Sequence, residues 1–135
     1  MIVGKSPTRE VYNLGADPRV TVTGGVPDIR PFLNRATVAV APIVYNAGVQ
    51  NKILEAMACG TPVVTTPAAV AGLDARPDEH LLAAEGAAGL AEAVLCLLES
   101  QERRQTLSEA ALAYVHEHHS WQAIAARLAM IYDSL

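Results

Sequence analysis

Residues 37–66 read TVAVAPIVYNAGVQNKILEAMACGTPVVTT, and the order of patterns inside them decides the fold. Residues 37–44 are apolar on both faces with Pro42 near their end, which predicts a strand of a parallel sheet covered on both sides. Gly48 predicts the opening of a helix in which Ile53, Leu54, Ala56, Met57 and Ala58 are mostly buried. Gly60 is its C′ stop. Thr61-Pro62-Val63-Val64-Thr65-Thr66 is a second strand. Strand, helix and strand at this spacing make a βαβ unit.

The same alternation continues outward. Upstream, residues 2–4 predict a strand stub, and Ser6-Pro7-Thr8 opens a short helix or turn within residues 5–14. Residues 20–23, bounded by Pro18 and Gly24-Gly25, predict a strand. Asp28 is a candidate N-cap for a helix that tolerates Pro31 in its first turn and presents Ile29, Phe32, Leu33 and Ala36 on one face. Downstream, residues 67–72 predict a Pro/Ala/Gly loop and residues 80–84 a weak strand. Helices follow over 87–98 (Leu90, Ala93, Val94, Leu97, Leu98), 102–118 and 121–135. The last has Ser120 as N-cap and Ile124, Leu128, Ile131 and Leu135 as its apolar stripe. The expectation is one α/β domain over residues 1–135: a Rossmann-like parallel sheet with flanking helices and a helical C-terminal extension.

Composition narrows the functional classes. The chain has 135 residues, 51% of them hydrophobic, which suits one domain with a real core. Aromatic residues make up 4% and the net charge is −4, so the basic footprint and stacking platform of a nucleic-acid binder are missing. An anionic small molecule is still compatible, because helix-start amides hold phosphate without net positive charge. Cys59 and Cys96 fall in helical apolar patterns and read as reduced core residues. No charged segment followed by an apolar one opens the chain, and no apolar run reaches the ~18 residues of a membrane span. A soluble, cytoplasmic chain is expected, and a peripheral membrane association stays open.

Gly48 would stand at the carboxyl end of a buried parallel strand, where open α/β sheets bind ligands. There it permits a close approach or an unusual backbone angle. The N–H groups of Val49, Gln50 and Asn51 would face the crevice and suit phosphate or sugar hydroxyls. Glu55 lies further along the same helix. A carboxylate in an apolar segment is costly unless it is paired, reaches a crevice or sits on the solvent face. Spacing alone leaves those choices open; a carboxylate that reaches the crevice can accept from two vicinal ribose hydroxyls.

The segment Glu55-Ala56-Met57-Ala58-Cys59-Gly60-Thr61-Pro62-Val63-Val64 resembles the donor-binding motif of family four of the retaining glycosyltransferases. Val22-Thr23-Gly24-Gly25-Val26, followed by Leu33 and Ala36, resembles that family's strand, Gly-x-Val and short helix beside the nucleotide base. His119-Ser120-Trp121 resembles the mark that opens its last helix. The resemblance implies a GT-B fold, of which this chain would be the C-terminal, nucleotide-sugar-binding lobe. It gives Glu55 the ribose of a nucleotide diphosphate sugar, and Gly24, Gly25 and Val26 the neighbourhood of the base. It implies no cofactor and no metal. The donor is the expected partner, together with the N-terminal lobe of the same enzyme.

Two features depart from the family pattern. Its first glutamate falls at Ala47, so the sugar-side contact is lost or passes to Gln50 and Asn51. The Gly48-Val49-Gln50-Asn51-Lys52 variant resembles an exopolysaccharide- and exosortase-associated subgroup. The strand and basic pair that clamp the diphosphate in the family are not found before Ile2, so the chain reads as a fragment beginning inside the lobe. On its own it is expected to bind nucleotide weakly and to transfer nothing. Lys52 suits either the donor phosphates or solvent. His116, His118 and His119 offer one i, i+3 pair, His116 with His119, and no third ligand nearby, so they read as solvated helix-end histidines. Arg103-Arg104 reads as a solvated face. Two other classes remain compatible: a GT-B relative such as a nucleotide-sugar epimerase or a phosphorylase, and a non-catalytic Rossmann-like interaction module.

Overall fold

The computed structural model describes residues 1–45 and 48–134. The chain divides into two compact units, residues 1–35 and residues 36–135. In the first, Ile2 pairs in parallel with Val22, through Ile2 N–H to Thr21 O at 2.7 Å and Thr23 N–H to Ile2 O at 3.0 Å. The expected strand over residues 20–23 is thus a single bridge, because Gly24, at φ +69°, turns the backbone out of the extended region. Helix α1, Arg9–Asn13, is capped by Thr8, whose hydroxyl accepts from the Val11 amide. Helix α2, Arg30–Arg35, follows Asp28, whose carboxylate accepts from the Arg30 amide at 2.9 Å and pairs with the Arg30 guanidinium. That pairing holds the Asp28 carboxyl below its ordinary pKa.

The second unit carries the sheet. Strands β1 (Ala39–Ala41), β2 (Val63–Thr65) and β3 (Leu82–Ala83) lie side by side in that order, all parallel. Register pairs Val40 with Val64 and Val64 with Leu82. All three β2 residues are buried, so both faces of the central strand are covered. Coverage fails at β1, where Val40 is 48% exposed. Pairing of β1 stops at Ala41, since Pro42 has no N–H to give.

Helix α3, Asn51–Ala58, connects β1 to β2 and buries Ile53, Ala56 and Met57. It begins three residues later than Gly48, because Gly48 takes φ +78° and belongs to the turn before the helix. Its end follows the expected pattern: Gly60 has φ +69°, its N–H reaches Met57 O at 3.0 Å, and the Thr61 N–H reaches Ala56 O at 3.0 Å. These two bonds make a Schellman stop. A Cβ on Gly60 would meet nothing within 4 Å, so Gly60→Ala tests the left-handed backbone alone. The expected loss is about 1 kcal/mol, read as a shift in urea midpoint. A neutral result would mean that Gly60 does not hold that conformation.

The stretch expected as a loop contains a short helix, α4 (Pro67–Val70), capped by Thr66 and started by Pro67 at its first turn. Beyond β3 come α5 (Gly86–Glu99), α6 (Gln101–His119) and α7 (Trp121–Asp133). Val64 of β2, Leu82 of β3, Leu97 of α5 and Leu107 of α6 form one buried cluster. Ser120 caps α7 through the Ala123 amide. None of α7's residues is buried, so Ile124, Leu128 and Ile131 form an exposed stripe. Leu135, expected to extend it, lies outside the described residues. No helix among the described residues is long and apolar enough to cross a membrane.

Three expectations about single side chains change. Cys59 and Cys96 are half-buried rather than core residues. Arg104 is half-buried, and its guanidinium donates to the Leu97 and Leu98 carbonyls at 2.6 and 3.0 Å, closing the C-terminal end of α5. His118 and His119 are also half-buried, against the Tyr114 ring.

Candidate functional site

Beyond the carboxyl end of β1, a depression of about 300 Å³ is lined by Pro42, Ile43, Val44, Tyr45, Val49, Gln50 and Lys52. This is the crevice position where a parallel sheet presents ligand-binding backbone. One wall leaves the sheet through Pro42 and Ile43. The other enters α3 through Val49 and Gln50. Gly48 makes the turn between them at a φ that favours glycine.

The backbone N–H groups of Val49, Gln50 and Asn51 make no hydrogen bond among the described residues. Only Gln50 and Val49 precede the helix; Asn51 is its first residue, and the Ile53 N–H already turns back to Gln50 O at 2.9 Å. The Gln50 side chain is buried, and its amide donates to the Gly48 carbonyl at 3.4 Å, within the turn itself. Asn51 and Lys52 are exposed. Glu55 is exposed as well, lies three residues beyond Lys52 on α3, and makes no side-chain hydrogen bond or ion pair among the described residues. Residues three and four apart share a helix face, so Glu55 continues the face that Asn51 and Lys52 begin. Ala47 lies outside the described residues.

The remaining candidates belong to the other unit. Gly24 accepts at its carbonyl from the Gly4 N–H at 3.1 Å and from the Thr23 hydroxyl at 3.0 Å. Gly25 runs against Lys5, whose Cγ would be 3.5 Å from a Cβ placed there. Val26 is half-buried.

Two residues beside the depression escaped the sequence reading. Thr66 donates its hydroxyl to the Ile43 carbonyl in a short hydrogen bond and accepts from the Ala69 amide at 3.4 Å. Gly72 passes so close to the turn that a Cβ there would stand 2.5 Å from Gly48 O. The Thr66-Pro67 pair is itself a helix-start signal; Gly72 carries no local signal.

A ring cluster was also missed. His80 stacks on Tyr114 with centroids 4.8 Å apart, and its Nδ1 accepts from the Arg76 amide at 3.0 Å. The Tyr114 hydroxyl meets His119 Nε2 at 3.0 Å, and the His118 ring lies 5.0 Å from the tyrosine ring. Burial lowers the pKa of both His80 and His119 and raises that of Tyr114. Among the described residues no group of three or more His, Cys, Asp or Glu side chains is arranged to hold a metal ion.

A parallel sheet between helices, with a glycine turn and open amides past one strand, defines a Rossmann-like α/β binding fold. The chain belongs to the group 1 glycosyl transferases, whose sequence profile matches residues 1–100. No curated protein matches it. Among solved structures it is similar to sucrose-phosphate synthase from Thermosynechococcus elongatus, at 27% identity and a TM-score of 0.80 over 98% of this chain and 37% of that one. It is also similar to Anabaena HepE in complex with UDP, at 21% identity and a TM-score of 0.84 over 98% of this chain and 40% of that one. The C-terminal domain of a group 1 glycosyl transferase from Francisella tularensis matches at 20% identity and a TM-score of 0.70, over 84% of this chain and 60% of that one. The chain spans about two fifths of the length of the first two. The architecture is that of GT-B glycosyltransferases.

Proposed function

We propose that this chain is the nucleotide-sugar-binding, C-terminal lobe of a retaining glycosyltransferase of family four that moves a hexose-type sugar from a nucleotide diphosphate donor to a glycan, lipid or other acceptor. The observation that carries this reading is the open crevice past β1, with its unengaged amides and an unpaired carboxylate on the helix it leads into. Structures of HepE hold UDP, UDP with glucose, and UDP-glucose, which supports a nucleotide sugar as the ligand here. The Val49, Gln50 and Asn51 amides, with Lys52, would stabilise the departing diphosphate, an electrostatic task for preorganised donors. Glu55 would accept from the ribose hydroxyls. The acceptor would be held by an N-terminal lobe, so this chain alone would bind nucleotide weakly and transfer nothing. A cytoplasmic enzyme of the exopolysaccharide-associated subgroup fits the same reading.

Glu55→Ala tests the ribose contact. Hydrogen bonds to a charged group contribute about 1.5–3 kcal/mol, so calorimetric titration should show UDP binding at least about tenfold weaker. A UDP analogue lacking both ribose hydroxyls should not distinguish variant from wild type. Unchanged UDP affinity in the variant would remove Glu55 from the site and favour an interaction module.

A further inference from the structure

We infer that the turn from Thr66 to Gly72 is a positioning element for the depression, with Thr66 fixing one wall and Gly72 the other. This inference rests on the donor-site reading for its ligand, though not for its geometry.

On the sheet side, the Thr66 hydroxyl donates to the carbonyl of Ile43, a residue that lines the depression. The same oxygen accepts from Ala69 and so caps α4. A hydroxyl has one hydrogen to give, and here it is committed to the wall. On the helix side, Gly72 abuts the turn that aims the open amides. A Cβ at Gly72 would lie 2.5 Å from Gly48 O, 2.8 Å from Gly48 C and 3.4 Å from the Val49 nitrogen. These are backbone atoms, which cannot swing aside as a side-chain tip can. Gly72 does not have a positive φ, so closeness rather than backbone angle is what demands glycine there.

The span between the two contacts is short and anchored. Ala69 is fully buried and Leu73 is buried. The Ala71 N–H bonds to Pro67 O at 3.2 Å and the Leu73 N–H to Val70 O at 2.8 Å. One helical turn therefore fixes the separation of Ile43 from Gly48.

The test compares Thr66→Val, Thr66→Ser and Gly72→Ala in the 135-residue chain. UDP affinity is read by calorimetry and backbone geometry by amide NMR shifts. Valine keeps the shape but neither hydrogen bond; serine keeps both. Thr66→Val and Gly72→Ala should weaken UDP about tenfold, the scale of one lost hydrogen bond to the ligand. Their shift changes should concentrate in residues 42–53 and 66–73. Thr66→Ser should restore wild-type affinity and shifts, which a general stability defect would not predict. Wild-type affinity together with unchanged shifts at 42–53 in both disruptive variants would overturn the inference. If the wild-type chain does not bind UDP, the donor-site reading fails by itself, and the shifts at 42–53 still decide the positioning role. If Gly72→Ala does not fold, the valine and serine pair at Thr66 decides it.

Discussion

Leu97→Ala should lower the stability of the chain by about 3 kcal/mol, within the 2–5 kcal/mol span of leucine truncations in closed cores. Leu97 has 0% of its surface exposed and touches the point where β2, β3, α5 and α6 meet, through Val64, Leu82 and Leu107. Val38, Leu90, Ala93 and Val94 surround that cluster. A methyl in place of the isobutyl group leaves a gap that a rigid strand on one side and a 19-residue helix on the other cannot collapse into. Domains of this size are stable by roughly 5–15 kcal/mol in total, so the loss is a large share. Urea unfolding followed by far-UV circular dichroism measures it. A loss under about 1 kcal/mol would show that α5 is not the lid of this core.

Acidification should destabilise the chain as pH falls below about 6.5, through His80 and His119. Burial holds both imidazoles below the ordinary value of 6.5. The unfolded chain then takes up these protons first. The stability owed to the neutral rings is complete above that pH and drains away as pH falls toward the lower folded values. The slope is bounded by the two protons, about 1.4 kcal/mol per pH unit for each. Geometry supplies the reason for His80. Its Nδ1 accepts from the Arg76 amide, and a protonated ring would set two donors face to face. For His119, a protonated ring can only donate, so the Tyr114 hydroxyl would have to turn and accept. Glu79, 3.5 Å from His80 Nε2, works the other way and favours the charged form, whereas Arg76 and His118 oppose it. Around His119, His118 and Arg127 oppose the charge and Asp74 favours it. Urea midpoints between pH 7.5 and 5.0 should fall. His80→Asn, whose side-chain oxygen can accept from the Arg76 amide, should flatten the curve. A wild-type curve already flat over that range would refute the account.

Legibility in the sequence followed the range of the interactions. The β1–α3–β2 unit was readable because its signals are local: an apolar run closed by Pro42, the apolar residues Ile53, Leu54, Ala56, Met57 and Ala58, and Gly60 at the stop. Of those five, only Ile53, Ala56 and Met57 are buried; Leu54 is half-buried and Ala58 exposed, because a helix packed on one side cannot cover five positions in six. Ser120 and Thr8 were readable as cap and helix opener for the same reason. The start of α3 was misplaced because a glycine before a helix can belong to the turn, and Gly48 does. The α4 turn was misread as loop because proline and alanine were weighed as breakers, whereas proline after threonine starts a helix. The Tyr114 cluster was out of reach, since His80 is 34 residues from its ring partner and no periodicity links them. Candidate site residues divide along the same line. Glu55 and Lys52 were placed on α3 by spacing, and both are accessible there. The contacts that brace the crevice, from Thr66 to Ile43 and from Gly72 to Gly48, join segments more than 20 residues apart.

Trp121 is the chain's one tryptophan; it is 83% exposed and opens a helix none of whose residues is buried. Its fluorescence is therefore the emission of an indole in water before and after the core comes apart. A tryptophan-fluorescence melt of this chain is blind to the packing around Leu97. The same indole is an optical gauge for α7: a blue shift records apolar matter laid over that helix, whatever supplies it.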